Sequence, residues 1–151
     1  MKYIYTIGNC SGVSHAEAKE WRDKIQRYFK SNTFRETVKV INITDYYSYE
    51  TKFHESDKEI ADFCERSIKK ADAVIVNNYK LDSSGGSQRE IGLAKAYNIP
   101  IFVFDDVRIS NVYSWDKVWA ERIFSNSIQN LESSSNLEDC CAHVLKYIIN
   151  A

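Results

Sequence analysis

The chain has 151 residues, of which 44% are hydrophobic and 27% charged, with a formal net charge of -1. That length suits one domain with a sizeable core, and the balanced charge excludes the basic surface expected of a nucleic-acid partner. No apolar run is long enough to cross a bilayer. Met1-Lys2-Tyr3-Ile4-Tyr5 lacks the apolar stretch of a secretory signal and reads as the start of a strand. Cys10, Cys64, Cys140 and Cys141 show no Cys-x-x-Cys spacing, so the expectation is reduced thiols in a cytoplasmic protein. Cys64 and Cys141 fall on apolar helical faces, and Cys10 alone stands near a candidate site. His15, His54 and His143 are scattered without ligand spacing, so neither a metal nor a cofactor is expected.

In chain order, Tyr3 to Ile7 is a β-prone run ending at Gly8-Asn9. Ser14-His15-Ala16-Glu17 has the form of a capping box. It opens a helix that carries Ala18, Trp21, Ile25 and Tyr28 at helical spacing. Val38 to Ile43 is a second strand, and the polar stretch from Thr44 to Glu55, with Tyr46, Tyr47 and Tyr49, is a loop at its end. A second capping box, Ser56 to Glu59, precedes a helix with Ile60, Phe63, Cys64 and Ile68 inward. Ala73-Val74-Ile75-Val76 is continuous and apolar, the pattern of a strand buried on both faces.

The loop after Asn77-Asn78 leads to a third helix beginning near Ser87, with Ile91, Ala94 and Tyr97. Pro100 introduces a strand over 101–104 that ends at Asp105-Asp106. Trp115, Trp119 and Ile123 predict a short helix, followed by a Ser/Asn-rich linker, and Asn136 caps a last helix with Cys141, Val144, Leu145 and Ile148 inward. Alternating strands and helices predict a single α/β domain spanning 1–151. It is a doubly wound, Rossmann-like parallel sheet of four to five strands with helices on both faces.

Ligands in such folds bind at the carboxyl ends of the strands, here Gly8-Asn9, Asp45, Asn77-Asn78 and Asp105-Asp106. The most informative segment is Gly85-Gly86-Ser87-Gln88-Arg89-Glu90-Ile91-Gly92. Paired glycines at a helix start allow close backbone approach, and the helix N-terminus offers free N–H groups and a positive dipole end. The Lys-Ser/Thr of a P-loop and the spacing of a dinucleotide fingerprint are both absent. Glu90 has two readings. It stands where the glutamate of a capping box Ser87 to Glu90 would reach back to the helix start, or it is a free carboxylate at the site. Gly92 inside a helix costs about 1 kcal/mol relative to alanine, which points to a close approach there.

Three segments together resemble the nucleoside 2-deoxyribosyltransferase family: Tyr5-Thr6-Ile7-Gly8, Ala71-Asp72-Ala73-Val74-Ile75-Val76-Asn77, and Gly86-Ser87-Gln88-Arg89-Glu90-Ile91-Gly92-Leu93-Ala94 followed by Ile99-Pro100. The resemblance implies transfer of a 2-deoxyribosyl group between bases, with Glu90 attacking the anomeric carbon to give a covalent glycosyl-enzyme. It implies that Tyr5 orients that carboxylate and that Asp72 holds substrate or protonates the departing base. Gly8, Asn9, Asn77, Asp82, Ser84, Gly85, Gly86 and Ser87 are then the substrate-binding candidates. The family often has an aspartate six residues before the nucleophile, where this chain has Ser84 with Asp82 two residues earlier. A hydrolase releasing base from a nucleoside or nucleoside 5′-monophosphate would use the same nucleophile, and a non-catalytic nucleotide-binding module would keep the fold without turnover. The implied partners are a small nucleoside or nucleotide and further copies of the chain. Asn111 and Asn126 are candidates for a residue shared across subunits.

Overall fold

The computed structural model describes residues 1–48, 56–81, 84–106, 131–134 and 136–150. In order they form β1 (Lys2–Ile7), α1 (His15–Asn32), β2 (Val38–Ile41), α2 (Asp57–Lys69), β3 (Ala73–Asn77), α3 (Gly85–Ala96), β4 (Ile101–Phe104), β5 (Leu131–Ser134) and α4 (Leu137–Asn150). The sheet is five-stranded, ordered β2-β1-β3-β4-β5, with every described pair parallel. The chain winds from β1 outward to β2 and then back across to β3, so the direction of winding reverses between β1 and β3. In a doubly wound sheet that reversal opens a crevice at the carboxyl ends.

The alternation of side chains along the strands sorts the core into two layers. Tyr5, Ile7, Val74, Val76, Ile101 and Val103 meet Ile60, Cys64 and Ile68 of α2 and Ile91 and Ala94 of α3. On the other face Ile4, Ile75, Phe102 and Phe104 meet Trp21, Ile25 and Phe29 of α1 and Cys140, Cys141, Val144 and Ile148 of α4. Ala73 to Val76 are wholly buried, as a strand covered on both faces requires. Each buried Ile or Val in these layers contributes about 1.5–3 kcal/mol, and that burial, more than helix propensity, fixes the strand order.

The helix starts follow their caps. Ser14 accepts from the Glu17 amide at 3.1 Å, Ser56 from the Glu59 amide at 3.3 Å, and Asn136 from the Asp139 amide at 2.8 Å. The third helix departs from expectation. Its N-cap is Ser84, which accepts from the Ser87 amide at 3.4 Å, while the Gln88 amide reaches the Ser84 carbonyl at 3.1 Å. Gly85 and Gly86 are therefore the first residues of α3, not a loop before it, and Glu90 lies too far into the helix to cap it. A second correction concerns Gly92, where a Cβ would meet nothing within 4 Å, so no close approach among the described residues accounts for it.

The stretch read as a linker contains β5, whose Leu131 to Ser134 pair with Ile101 to Phe104. A strand with only one neighbour need not show an apolar run, because β-propensity depends on what a position packs against. The helix expected around Trp115, Trp119 and Ile123 lies outside the described residues, as do Asn111 and Asn126.

Candidate active site

Tyr5 rises in β1 between Ile41 of β2 and Val74 of β3, wholly buried beneath the helices of one face. Its hydroxyl donates to Glu90 Oε1 at 3.2 Å across a sequence separation of 85 residues. Glu90 is half-buried, and the Cys64 thiol of α2 stands beside its carboxyl. One carboxylate is thus held by a donor from β1 beside a thiol of α2 while retaining partial access to solvent. Burial pushes the Glu90 carboxyl up from 4.5 to about 7, against the opposing effects of the Cys64 thiol, the Arg22 charge and the Tyr5 bond. Burial, reinforced by the Glu90 charge, holds the Tyr5 phenol well above its ordinary value, so it remains a donor at any working pH. This is the hydrogen-bonding arrangement that an oriented carboxylate nucleophile requires. The position of Glu90 well inside α3, with its side chain turned to Tyr5, removes the capping-box reading.

The loop after β1 is built around Gly8 and Asn9. A Cβ on Gly8 would stand 2.5 Å from Trp21 Cζ2, so glycine there is demanded by the packing of α1 against the strand end. The buried Asn9 amide accepts from the Gly12 N–H at 2.8 Å and donates to the Lys80 carbonyl at 3.1 Å, tying the β1–α1 and β3–α3 loops together. Asn77 donates to Asp106 at 2.7 Å and accepts from the Tyr79 amide at 3.0 Å, and Asn78 donates to Asp105 at 2.6 Å. Ser84 and Ser87 share a 2.7 Å hydroxyl contact, whereas Gly85 and Gly86 are exposed with open space above them. The fold therefore brings Gly8, Asn9, Asn77 and Ser84 to Ser87 to the carboxyl edge that carries Tyr5 and Glu90. Asp82 lies outside the described residues.

Asp72 is not part of this assembly. It precedes β3 at the amino edge of the sheet, where its carboxylate accepts from the Tyr3 amide at 2.8 Å and stands 3.8 Å from Lys2 Nζ. The expectation that it contacts substrate or protonates a leaving base is corrected: parallel strands place the residue before β3 at the opposite edge from the one after β1.

Asp45 holds its loop to α1 through Lys19 at 3.1 Å and Gln26 at 2.9 Å. Tyr46 and Tyr47 pack on Phe63 with ring centroids 5.0 and 5.4 Å away, so they anchor the loop to α2, although Tyr46 is also 57% exposed. Burial pushes the Cys10 thiol up despite the nearby Arg22 charge, which argues against a reactive thiolate. A cavity of about 360 Å³ lies on the α1–α4 side, between Trp21, Phe104, Asp105, Asp106 and Leu137, and Glu90 does not line it.

Two residues of the site went unrecognised in the sequence. Cys64 reads as an ordinary core position on the apolar face of α2. Arg22 carries a visible signal, because it sits on the buried stripe of α1 with Ala18, Ile25 and Phe29. A charge on such a stripe is rarely buried without a reason.

No protein-family model matches the sequence, and no curated protein matches it. Among solved structures, the chain is similar to a CMP N-glycosidase, BcmB, from Clostridium botulinum, with a TM-score of 0.59, 15% identity, and coverage of 97% of this chain and 99% of that one. It is also similar to a conserved protein from Enterococcus faecalis V583, with a TM-score of 0.64, 19% identity and the same 97% and 99% coverage. At these identities the likeness establishes the shared α/β fold over nearly the full length of the three chains. No helix among the described residues is long and apolar enough to cross a membrane.

Proposed function

We propose that this protein cleaves the N-glycosidic bond of a nucleoside or nucleoside 5′-monophosphate, with Glu90 as nucleophile and water as final acceptor. The observation that carries the reading is the half-buried Glu90 carboxylate held by the Tyr5 hydroxyl at the carboxyl edge of the sheet. The fold shared with a CMP N-glycosidase supports hydrolysis in particular.

Tyr5 holds Oε1, leaving Oε2 to attack the anomeric carbon. The C1′–O bond to Glu90 forms as the C1′–N bond breaks through an oxocarbenium-like transition state. The base departs with the bonding electron pair and takes a proton from water. A second water, giving its proton to the hydroxide left behind, then attacks C1′, releases the Glu90 carboxylate and leaves the free sugar or its 5′-phosphate. Partial burial serves this sequence, because a desolvated carboxylate stabilises positive charge developing on the sugar more strongly than a hydrated one. Ser84, Ser87 and the free amides that start α3 are the groups we assign to the sugar or its 5′-phosphate.

A second reading, transfer of a 2-deoxyribosyl group to another base, is favoured by the Gly86 to Ala94 segment and uses the same first step. It also carries the expectation of a homo-oligomer with sites shared between subunits. Chromatography of purified protein with deoxynucleosides and nucleoside 5′-monophosphates, each with and without a free base, separates the two. Free base without acceptor supports the hydrolase, a new nucleoside only with acceptor supports the transferase, and no product from any substrate overturns both.

A further inference from the structure

Asn9 is 4% exposed, and both ends of its amide meet backbone. Its Oδ1 accepts from the Gly12 amide at 2.8 Å inside the β1–α1 loop, while its Nδ2 donates to the Lys80 carbonyl at 3.1 Å in the β3–α3 loop. β1 and β3 are the neighbours between which the winding reverses, so this bond crosses the crevice from one loop to the other. The carbonyl it holds belongs to a residue with φ 55°, a left-handed backbone that a lysine adopts only where its surroundings enforce it. Leu81, next in the chain, is wholly buried, and its carbonyl accepts from the Ser84 amide at 3.1 Å and from Gln88 Nε2 at 2.9 Å. Those two donors belong to the cap and first turn of α3, and Glu90 follows in the next turn. On the other side, the Gly8 carbonyl accepts from Arg22 at 3.0 Å, so the strand end that Asn9 extends is itself fixed to α1.

We propose that Asn9 is a positioning residue, whose bond to Lys80 sets the start of α3 against the end of β1 so that Glu90 meets the Tyr5 hydroxyl. An asparagine at the end of the first strand reads in sequence as a substrate ligand, but here its amide ties two loops of the scaffold together. The Tyr5–Glu90 contact is 3.2 Å long, beyond the usual range for a hydroxyl donor, so a slip of α3 by ~0.5 Å breaks it. That slip is about a third of the rise of one helical residue. A helix is stiff over two turns, so holding the first turn of α3 holds the carboxylate that follows it. The tie stands whether or not Glu90 turns over a substrate. Only its catalytic consequence, a carboxylate kept oriented for attack, rests on the nucleophile reading.

The test is a double-substitution cycle read by ¹³C NMR titration of glutamate side-chain carboxyls without substrate, with Glu90 assigned by its loss in Glu90→Gln. In the otherwise unaltered protein, Tyr5→Phe removes a donor to the carboxylate and should move the Glu90 midpoint away from about 7. In an Asn9→Ala background the same Tyr5→Phe should leave the midpoint where it stands, because the two groups no longer meet. An equal shift in both backgrounds overturns the proposal, and so does the absence of a shift in either.

Should Asn9→Ala fail to fold, Gln88→Ala decides by the same cycle and the same criterion. It breaks the tie one link further on, at a half-buried helical position that alanine suits. In turnover, Asn9→Ala should lower kcat by ~10–100-fold with KM within about twofold, the pattern of a misplaced reacting group. A raised KM at unchanged kcat would put Asn9 on the substrate and overturn the proposal. Because the titration involves no turnover, a protein that loses the Tyr5–Glu90 coupling in Asn9→Ala but acts on no substrate refutes the nucleophile and leaves the tie standing.

Discussion

Replacing Glu90 with glutamine keeps an oxygen to accept the Tyr5 hydroxyl while removing the ionisable group. The folded chain holds this carboxyl near 7 against an ordinary value of 4.5, so the protonated form is the one the fold favours. The sign follows from linkage. With the folded value raised, the stabilisation is complete below about 4.5 and is lost as pH rises through about 7. At ~1.4 kcal/mol per pH unit the full difference is at most about 3 kcal/mol. The partial exposure of Glu90 screens it, leaving about 2 kcal/mol between pH 5 and pH 8. Glutamine does not titrate, so relative to the unaltered protein Glu90→Gln should gain ~2 kcal/mol over that interval, or roughly 4–8 °C in Tm for a chain of this size. Turnover should fall by at least ~10⁴-fold, the scale on which removal of a nucleophile acts. Urea unfolding at pH 5 and pH 8, with product chromatography on the same samples, reads both effects. Parallel stabilities at the two pH values would refute the raised carboxyl, and surviving turnover would refute the nucleophile.

The rate should follow the same group: kcat/KM should rise with pH and level off above about 7, because attack needs the ionised form, and a profile that falls through this range would make Glu90 an acid instead. Tyr5→Phe removes one donor to the carboxylate and should cost about 1 kcal/mol of stability and ~10–100-fold in turnover, with unchanged circular dichroism. Gly8→Ala places a methyl 2.5 Å from Trp21 and should destabilise by about 1–3 kcal/mol in urea unfolding, whatever its effect on substrate. Asp72→Asn should leave turnover within about twofold, since its carboxylate works at the amino edge, and a large loss of activity would return it to the site.

Local signals account for most of what was legible. Ser14, Ser56 and Asn136 start helices because a side-chain oxygen satisfies an otherwise unpaired amide within the same turn, a relation wholly contained in sequence. The buried run from Ala73 to Val76 announces a central strand for an equally simple reason: both faces must be covered. The same logic misled at Ser87, because Ser84 offers an alternative cap three residues earlier and the choice between them depends on where β3 ends and where α3 can dock. β5 was hidden because an edge strand borrows its stability from the neighbour it pairs with, so Leu131 to Ser134 need show no pattern of their own.

By itself, then, the sequence determined the alternating architecture, the caps, the central strand and the carboxylate on which the candidate chemistry turns, all properties carried by neighbouring residues. Only the tertiary structure decided what surrounds that carboxylate. Tyr5 and Cys64 come to Glu90 from elements far apart in the chain, Arg22 of α1 reaches the Gly8 carbonyl at the end of β1, and Asp72, close to the strand in sequence, is carried to the other edge by the direction of parallel pairing. Burial and electrostatics depend on distances in space, and those are fixed only when the sheet is assembled and its helices are packed on both faces.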